Sequence, residues 1–504
     1  MVRNVITYLI QCMEKYPEKI AFADEKRSIT FRELFIEAKK TANVIAQKCR
    51  DMTNQPIMVY IDRSVESIVA FMGILYSGNF YCPIDTMMPL ERIDKIISAL
   101  DATTLIYTDK IPDVENVNFI NLAEIADISE NEILKKEYGW QEILDVDPAY
   151  VLFTSGSTGQ PKGVVINHAA IIDYVEWLHD KFNFSEKTVL GNQASFHFDF
   201  SVADIYSTLK NAATMYMIPK EKFAFPRELL TYVETKGINT VFWVPSVLIS
   251  IANSGALNEV KLSNLEKLLF CGEVMPNKQL NIWRHVYPNK LYVNMYGPTE
   301  TTVASTYYIV DREFSDEEPL PIGRPCENSG ILLLNHENKL AEINEIGEIC
   351  IKGIGVSMGY YGDEGRTVEN FVQNPLNNKY HEIIYRTGDL GKYNERQEVI
   401  YVGRKDYQIK HQGYRIELGE IEAISDAIVG VDKTCALYDD ENKKIVLFCS
   451  ISGTDITEKK IYMSLKDRLP RYMLPGQIHI LGELPLNVNG KIDRTELKRK
   501  YMSE

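Results

Sequence analysis

The chain has 504 residues, of which 45% are hydrophobic and 25% charged, an ordinary composition for a soluble globular protein. Its formal net charge of -15 argues against a general nucleic-acid or anionic-membrane binder, because such binders cluster Lys and Arg. At ~150 residues per domain, the length suggests roughly two to four structural units.

The first segments in chain order argue against secretion and membrane insertion. Residues 1–22 have an amphipathic helical pattern with internal charges, and they lack the apolar core and cleavage site of a signal peptide. The longest uncharged apolar stretch, residues 68–84, is broken by turn residues at 77–79 and by Pro83, so it predicts a buried helix, a turn and a strand. The eight cysteines form no C-x-x-C pair and indicate reduced, mostly buried thiols of a cytoplasmic protein.

Short β-rich runs alternate with helical patterns through most of the chain. Strands are predicted at PIMVYI, TTLIYT, AYVLFT, TVLGNQ and NTVFWV, and helices at AAIIDYVEWLHDKF and RELLTYVETK. This alternation predicts an α/β fold of parallel sheets covered by helices. Near residue 400 the pattern changes to a strand pair with a turn at Gly413 and then a helix, which indicates a small α+β domain. This last part is nearly neutral, and the acidity lies in the preceding part.

The most unusual stretch is FTSGSTGQPKGV, residues 153–164, which follows an apolar strand and precedes a helical pattern. Its glycines let the backbone approach a ligand, and its hydroxyl groups and Lys162 add donors and one positive charge, so it can cradle phosphate oxygens. It is not a G-x-x-x-x-G-K-[ST] loop, because Pro161 and Gly163 flank Lys162. A flexible surface loop is the alternative, but the place directly after a strand favours a site.

This loop and eight further motifs resemble, in the same order, those of the adenylate-forming enzymes. That family comprises acyl-CoA synthetases, firefly luciferases and the adenylation domains of nonribosomal peptide synthetases. The resemblance covers essentially the whole chain. The eight motifs are ITFREL (29–34), PIDTMMPLERI (83–93), FDFSV (198–202), NMYGPTETT (294–302), GEICIKGIGVSMGYYG (347–362), YRTGDL (385–390), GRKDYQIKHQGYRIELGEIE (403–422) and NGKIDR (489–494).

The resemblance implies a two-domain fold. Residues 1–403 would form a large domain of parallel-rich sheets covered by helices, which binds ATP and the amino acid. Residues 404–406 would form a hinge centred on Asp406. Residues 407–504 would form a small mobile α+β lid that carries the family's catalytic lysine, Lys491. In the family, this lid rotates between two half-reactions.

The resemblance also implies ATP and Mg²⁺ as cofactors. Tyr296 would stack on adenine and Asn294 would read its edge, while Asp389 would accept both ribose hydroxyls beside Arg404. Glu300 would bind Mg²⁺. The catalytic set is Lys491, Glu300 and Lys162, and the ATP-binding set is Thr154, Ser155, Gly156, Ser157, Thr158, Gly159, Lys162, Gly272, Glu273, Asn294, Tyr296, Gly297, Thr299, Asp389, Arg404 and Lys491.

Asp199 carries the most information about the substrate, because amino-acid-activating members place an aspartate there against the α-ammonium group. A buried carboxylate is costly unless it is paired, so the substrate should bring a positive charge. A structural cap of the following helix is the alternative. The other implied pocket residues are Phe200, Ala203, an aromatic at Phe242 or Trp243 of which we choose Trp243, Leu269, Cys271, Met295, Val303 and Ala304.

The apolar lining favours a small aliphatic amino acid. A cysteine directly before Gly-Glu, Cys271, resembles the D-alanine:carrier-protein ligases, whereas the RIELGEIE and PIGRP motifs look more like peptide-synthetase adenylation domains. Met295 is also bulkier than a D-alanine enzyme requires. The amino acid and its chirality therefore stay open at this point.

No carrier domain follows the last motif, so we expect the acceptor thiol on a separate molecule. An acidic carrier protein with a phosphopantetheine arm is the first choice, and coenzyme A is the second. Such a carrier should dock more easily on the near-neutral small domain. An acyl-CoA synthetase for a non-amino acid is the alternative function, and a catalytically dead relative is a third.

Overall fold

Strands and helices alternate along most of the chain in a computed structural model that describes residues 2–49, 52–134, 138–156, 160–451, 456–486 and 492–501. The strands are β1 (Ile20–Ala23), β2 (Ser28–Thr30), β3 (Pro56–Tyr60), β4 (Phe80–Pro83), β5 (Thr104–Tyr107), β6 (Asn118–Asn121), β7 (Pro148–Thr154), β8 (Lys162–Asn167), β9 (Val189–Asn192), β10 (Thr214–Met217), β11 (Thr240–Trp243), β12 (Lys267–Phe270), β13 (Leu291–Tyr296), β14 (Thr306–Ile309), β15 (Arg324–Pro325), β16 (Ser329–Leu334), β17 (Gly347–Gly353), β18 (Phe371–Gln373), β19 (Ile383–Tyr393), β20 (Val399–Arg404), β21 (Gln408–His411), β22 (Tyr414–Glu417), β23 (Val431–Asp439), β24 (Lys444–Ile451) and β25 (Gln477–Leu481).

The helices occupy the intervals between these strands. They are α1 (Ile6–Lys15), α2 (Phe31–Cys49), α3 (Val65–Tyr76), α4 (Leu90–Leu100), α5 (Glu130–Ile133), α6 (His168–Phe182), α7 (Phe200–Asn211), α8 (Pro226–Thr235), α9 (Pro245–Ser254), α10 (Asn277–Val286), α11 (Glu364–Asn370), α12 (Leu418–Asp426), α13 (Glu458–Lys466) and α14 (Arg494–Tyr501).

The elements predicted from periodicity are confirmed. The five predicted strands are β3, β5, β7, β9 and β11, and the two predicted helices are α6 and α8. The amphipathic N-terminal pattern forms α1, and the apolar stretch at 68–84 forms the end of α3, a turn and β4. The strand pair near residue 410 is β21 and β22, whose turn residues Gln412 and Gly413 have φ values of 52° and 81°. Both residues therefore adopt the left-handed conformation that two-residue hairpin turns require.

A nine-stranded sheet positions most of the candidate site. Its strand order is β15-β14-β13-β12-β11-β9-β10-β1-β2, with parallel pairing from β13 through β1. Side chains on one face, such as those of Phe242 and Leu269, pack with helices α6 and α7. Side chains on the other face, such as those of Trp243 and Phe270, pack with α8, α9 and α10. Helices on both faces of a parallel sheet are the predicted α/β architecture.

Two further sheets accompany it. The six-stranded sheet has the order β6-β5-β3-β4-β7-β8, and its pairs from β6 through β4 are parallel. The five-stranded sheet is antiparallel, has the order β16-β17-β19-β18, and adds β20 through its pairing with β19. The long strand β19 carries the YRTGDL motif, so Asp389 and Arg404 become direct neighbours across the β19–β20 ladder.

The described chain forms two compact units. The first comprises Met1–Thr86, Ala99–Leu152 and Gly163–Lys405, and the second comprises Met87–Ser98, Phe153–Lys162 and Asp406–Glu504. The second unit has its own core, in which Ile416, Ile421 and Leu447 are buried. Two segments from the first third of the chain thus belong to the second unit, which the sequence did not indicate.

All eight cysteines lie within the described residues and are free thiols, seven of them buried. Within the same residues, no helix combines the length and the apolar character that a membrane crossing needs.

Candidate active site

Candidate residues follow the carboxyl ends of neighbouring parallel strands. Asp199 comes after β9, Cys271 to Glu273 after β12, and Tyr296 ends β13. In the nine-stranded sheet, β9 lies between β10 and β11, so the chain leaves β9 to one side and returns on the other. Ligands of parallel α/β sheets bind at the carboxyl edge where the strand order reverses in this way. The candidates therefore lie at the edge of the sheet where such sites form.

The ribose-binding candidates form one buried hydrogen-bonded group. Arg404 donates through Nη1 to Asp389 Oδ1 at 2.7 Å, and the Tyr296 hydroxyl donates to Asp389 Oδ2 at 2.5 Å. Tyr296 lies at the end of β13, not in the turn that the following Gly-Pro indicates. Burial, and then the neighbouring Asp389 carboxylate, hold the pKa of Tyr296 well above its usual value. The group holds Asp389 in a fixed position as a hydrogen-bond acceptor.

The metal-binding candidate Glu300 is fully buried in a short 3-10 turn, Thr299–Thr301. Its Oε1 accepts a hydrogen bond from the Tyr360 hydroxyl at 2.8 Å. Among the described residues, no three His, Cys, Asp or Glu side chains come together as a metal cluster. Mg²⁺ usually takes one or two protein carboxylates beside substrate phosphates and water, so a single carboxylate held in this way fits that ion.

Three further candidates for nucleotide binding are Asn294, Glu273 and Gly272. Asn294 donates through Nδ2 to the Pro321 carbonyl at 2.8 Å, which fixes the orientation of its amide. Glu273 accepts a hydrogen bond from the Ser246 backbone N–H at 2.8 Å. Gly272 has a φ of +96°, a conformation that favours glycine and lets the chain turn away from β12.

Asp199 does not cap the helix that it precedes. It occupies the N-cap position of α7, but its φ of -58° and ψ of -28° are helical, and its side chain makes no capping hydrogen bond within the described residues. A capping Asp normally has extended dihedral angles and accepts a hydrogen bond from the first turn. The structural alternative for this residue, a helix cap, is therefore removed.

The register of the sheet decides which aromatic side chain faces the other pocket candidates. Phe242 pairs with Leu269, and Leu269 pairs with Val293, so the three share one face. Phe242 also contacts Phe200 edge-on, with ring centroids 5.9 Å apart. Trp243 points to the opposite face and donates through Nε1 to the Gly191 carbonyl at 2.9 Å. The choice of Trp243 is therefore corrected to Phe242.

The remaining pocket candidates share a buried cluster with Phe242. Cys271, Met295 and Ala304 are each at most 4% exposed. Val303 has a φ of 68° and follows Thr302 at 58°. Positive φ values are strained for β-branched residues and concentrate at functional sites. Phe200, Ala203, Cys271, Met295, Val303 and Ala304 all belong to the same cluster.

Two tyrosines at this cluster were not identified from the sequence. The hydroxyl groups of Tyr150 and Tyr174 are buried and have no hydrogen-bond partner within the described residues. Burial is the largest cause of their raised pKa values, and Asp199 contributes to both. A tyrosine in a predicted strand or helix is ordinarily interpreted as a core residue, so the sequence contains no signal that distinguishes Tyr150 or Tyr174.

The phosphate-loop candidates lie in the second unit, against the hairpin β21–β22. The Ser155 hydroxyl donates to the Arg415 carbonyl at 2.8 Å and accepts from the Glu417 N–H at 3.2 Å. Lys162 is buried and forms an ion pair with Glu417, with 3.4 Å between Nζ and Oε1. A Cβ on Gly156 would lie 2.0 Å from the Gln160 carbonyl oxygen, so only glycine fits there.

The loop differs from the expectation in one respect, because strand β8 separates it from helix α6. Asp406 begins the C-terminal segment of the second unit, and its carboxylate accepts a hydrogen bond from the Gln408 N–H at 3.2 Å. Four predicted site residues lie outside the described residues: Ser157, Thr158, Gly159 and Lys491. Their roles remain predictions, as does the hinge role of Asp406.

The sequence profile of the AMP-binding enzymes matches residues 10–361, and the chain belongs to that family. It is therefore an AMP-forming ligase that uses ATP. Among curated proteins, it is 33% identical to the D-alanine--D-alanyl carrier protein ligase of Bacillus cytotoxicus over 97% of this chain and 98% of that protein. It is also 33% identical to bacitracin synthase 1 of Bacillus licheniformis over 96% of this chain, a match that spans 9% of that longer protein.

Solved structures agree on the fold. A nonribosomal peptide synthetase protein with adenylation and PCP domains superposes with a TM-score of 0.85 at 23% identity, over 99% of this chain and 84% of that one. An artificially fused adenylation–PCP di-domain from Klebsiella oxytoca gives 0.82 at 22% identity, over 95% and 94%. The predicted adenylate-forming fold is confirmed.

Proposed function

We propose that the protein activates a small amino acid, with alanine and D-alanine among the candidates, as its aminoacyl-AMP. It then transfers the aminoacyl group to the phosphopantetheine thiol of a separate carrier protein. The observation that carries this proposal is Asp199, a carboxylate at the pocket that does not serve as a helix cap. An amino acid would bring its α-ammonium group to this carboxylate as an oppositely charged partner.

In the first half-reaction, a substrate carboxylate oxygen attacks the α-phosphorus of ATP. A new C–O–P linkage forms, the bond between the α- and β-phosphates breaks, and pyrophosphate leaves. Asp389 would accept hydrogen bonds from the ribose, and Tyr296 and Arg404 keep it in place for that role. Lys491 would screen the charge that builds between the two reacting anions.

Glu300 would hold Mg²⁺ through the carboxylate that Tyr360 orients. When bound, the ion would neutralise charge on the phosphate oxygens of ATP. Lys162, which forms an ion pair with Glu417, would contact the same phosphates through the remaining N–H donors of its ammonium group. The loop from Thr154 to Gly159 would provide backbone N–H donors to the departing pyrophosphate.

In the second half-reaction, a thiolate attacks the acyl carbon, a thioester forms and AMP leaves. The carrier protein as acceptor is supported by the D-alanyl carrier protein ligase of Bacillus cytotoxicus, whose name describes that reaction. Coenzyme A is the alternative acceptor. The free cysteine thiols agree with the cytoplasmic location expected for such a reaction.

Replacement of Asp199 by Asn tests the proposal. The change keeps the volume of the side chain but removes the negative charge, so the α-ammonium group loses its partner. Removing one member of a desolvated charge pair costs about 3–5 kcal/mol, so we expect amino-acid-dependent ATP–pyrophosphate exchange to fall at least ~100-fold in kcat/KM.

The matched control is Asp204→Asn, the same substitution five residues further along the chain, inside α7. It should fold and retain exchange within about 10-fold. If Asp199→Asn exchanges amino acids as the wild type does, Asp199 does not bind the ammonium group, and an acid without an amine becomes the preferred substrate class.

A further inference from the structure

Tyr174 presents a polar group that the fold leaves unsatisfied. The residue lies on α6, is 4% exposed, and its hydroxyl has no hydrogen-bond partner within the described residues. Buried polar groups are almost always paired, so an orphan among the described residues indicates a partner beyond them. A bound ligand is one such partner.

Tyr174 lies on α6, which packs against α7, the helix that carries the pocket candidates Phe200 and Ala203. After burial, the groups that raise its pKa are Cys326, Cys271, Asp199 and Asp204. Cys271 and Asp199 are pocket candidates, and the Cys326 thiol lies 3.7 Å from the carbonyl oxygen of Ala304, a third one. Tyr174 belongs to the same buried cluster as these residues. Its hydroxyl therefore adds a polar group, beside Asp199 and the Tyr150 hydroxyl, to a set of pocket candidates that is otherwise apolar.

We infer that the Tyr174 hydroxyl binds a polar atom on the side chain of the substrate, so the preferred amino acid carries a hydroxyl group. A phenol both donates and accepts, which suits a neutral hydroxyl better than a charged group. The large side chains of Phe200, Phe242 and Met295 limit the volume available to the substrate side chain, whereas the small side chain of Ala203 leaves some space. These properties fit a side chain of the size of serine or threonine.

This inference rests on the proposed function, because it describes the substrate of the same pocket. It goes further, since an alanine side chain has no atom that can bond to Tyr174. A site that hydrogen-bonds a substrate hydroxyl rejects the analogue that lacks it, because the protein group is then left unpaired. The ratio of activity with serine to activity with alanine therefore measures whether the Tyr174 hydroxyl binds the substrate.

The experiment compares wild-type protein, Tyr174→Phe and Tyr206→Phe in ATP–pyrophosphate exchange. The substrates are two pairs that differ in one hydroxyl group, serine with alanine and threonine with 2-aminobutyrate, each in both enantiomers. Tyr206 is the matched control because it is equally buried but its hydroxyl is already paired with that of Tyr81 at 3.0 Å. We expect the wild type to prefer the hydroxylated member of each pair.

In Tyr174→Phe, the preference for the hydroxylated member should fall roughly 10-fold or more, mainly through loss of activity with that member. Tyr206→Phe should keep the wild-type preference. Thermal unfolding without substrate gives a second comparison of the two variants. Tyr174→Phe should unfold at or above the wild-type temperature, because it removes an unpaired hydroxyl, whereas Tyr206→Phe should unfold below it.

An unchanged preference in Tyr174→Phe would overturn the inference, as would a Tyr174→Phe protein that is destabilised without substrate. Either result would mean that solvent or the protein already satisfies the hydroxyl. A wild type that exchanges alanine but rejects serine would overturn it as well, and would leave the proposed function intact. Absence of exchange with every amino acid would instead overturn the proposed function itself.

Discussion

Asp204 is a fully buried carboxyl group that accepts one side-chain hydrogen bond from the described part of the chain. Its Oδ2 accepts from Asn192 Nδ2 at 2.8 Å, and its Oδ1 has no partner within the described residues. Burial raises the pKa of Asp204 to about 7, although Asn192 and Arg63 act in the opposite direction. Asn192 also donates to the Ala194 carbonyl at 3.2 Å. The hydrogen-bonded pair of Asn192 and Asp204 therefore contacts the start of the segment that leads to Asp199.

The raised pKa makes a prediction about stability. The folded protein holds the proton of Asp204 more tightly than the unfolded chain, so its stabilising contribution is complete below about pH 4 and is lost as the pH rises to about 7. Relative to Asp204→Asn, the wild type should lose up to ~1.4 kcal/mol of unfolding free energy per pH unit across that range.

Denaturant unfolding of both proteins between pH 4 and pH 8 measures this difference. His168 has a pKa lowered to about 3 by burial, so it makes stability rise with pH, but it is present in both proteins and cancels in the comparison. A difference between the two proteins that does not change with pH would show that Asp204 is ionised in the folded state throughout.

Candidate site residues could be proposed from the sequence only where a motif carried them. Asp389, Arg404 and Tyr296 were identified from short motifs far apart in the chain, and the structure joins them by hydrogen bonds. Tyr174 could not be found in this way. Its significance depends on the absence of a partner for one atom, which is a property of packing and not of local sequence.

At the scale of elements, strand alternation decides which side chains can share a pocket. Adjacent residues of a strand point to opposite faces, so only one of Phe242 and Trp243 can face Leu269. The sequence predicted strand β11 correctly but could not fix its register against β12. The register depends on long-range pairing, which periodicity within one strand does not report.

This alternation predicts different effects for two neighbouring substitutions. Phe242→Leu should enlarge the pocket and shift the exchange preference towards larger amino acids by roughly 10-fold in kcat/KM, since one or two methylene groups are worth about 1–3 kcal/mol. Trp243→Phe should leave the preference unchanged and destabilise the protein by about 1 kcal/mol, because it loses the hydrogen bond to Gly191. The reverse pattern would contradict the register.

At the scale of the whole molecule, two segments distant in sequence belong to the second unit. The segment 87–98 joins it through a buried ion pair between Arg92 and Glu420, which are 328 positions apart. Arg468 and Glu91 form a second pair at 2.9 Å. The change of pattern near residue 400 indicated where the C-terminal part of this unit begins, but pairing over such distances leaves no local signal.

The central claim is that the protein selects carboxylic acids that carry an α-ammonium group. Exchange of pyrophosphate into ATP by the wild-type protein tests it most directly, with amino acids against acids of the same size that lack the amine. The sharpest pairs are alanine with propionate and serine with 3-hydroxypropionate. The account predicts exchange with the amino acids at least ~100-fold above their deaminated analogues, because only the amino acids bring an α-ammonium group to pair with the Asp199 carboxylate. Equal exchange with propionate and alanine would contradict it.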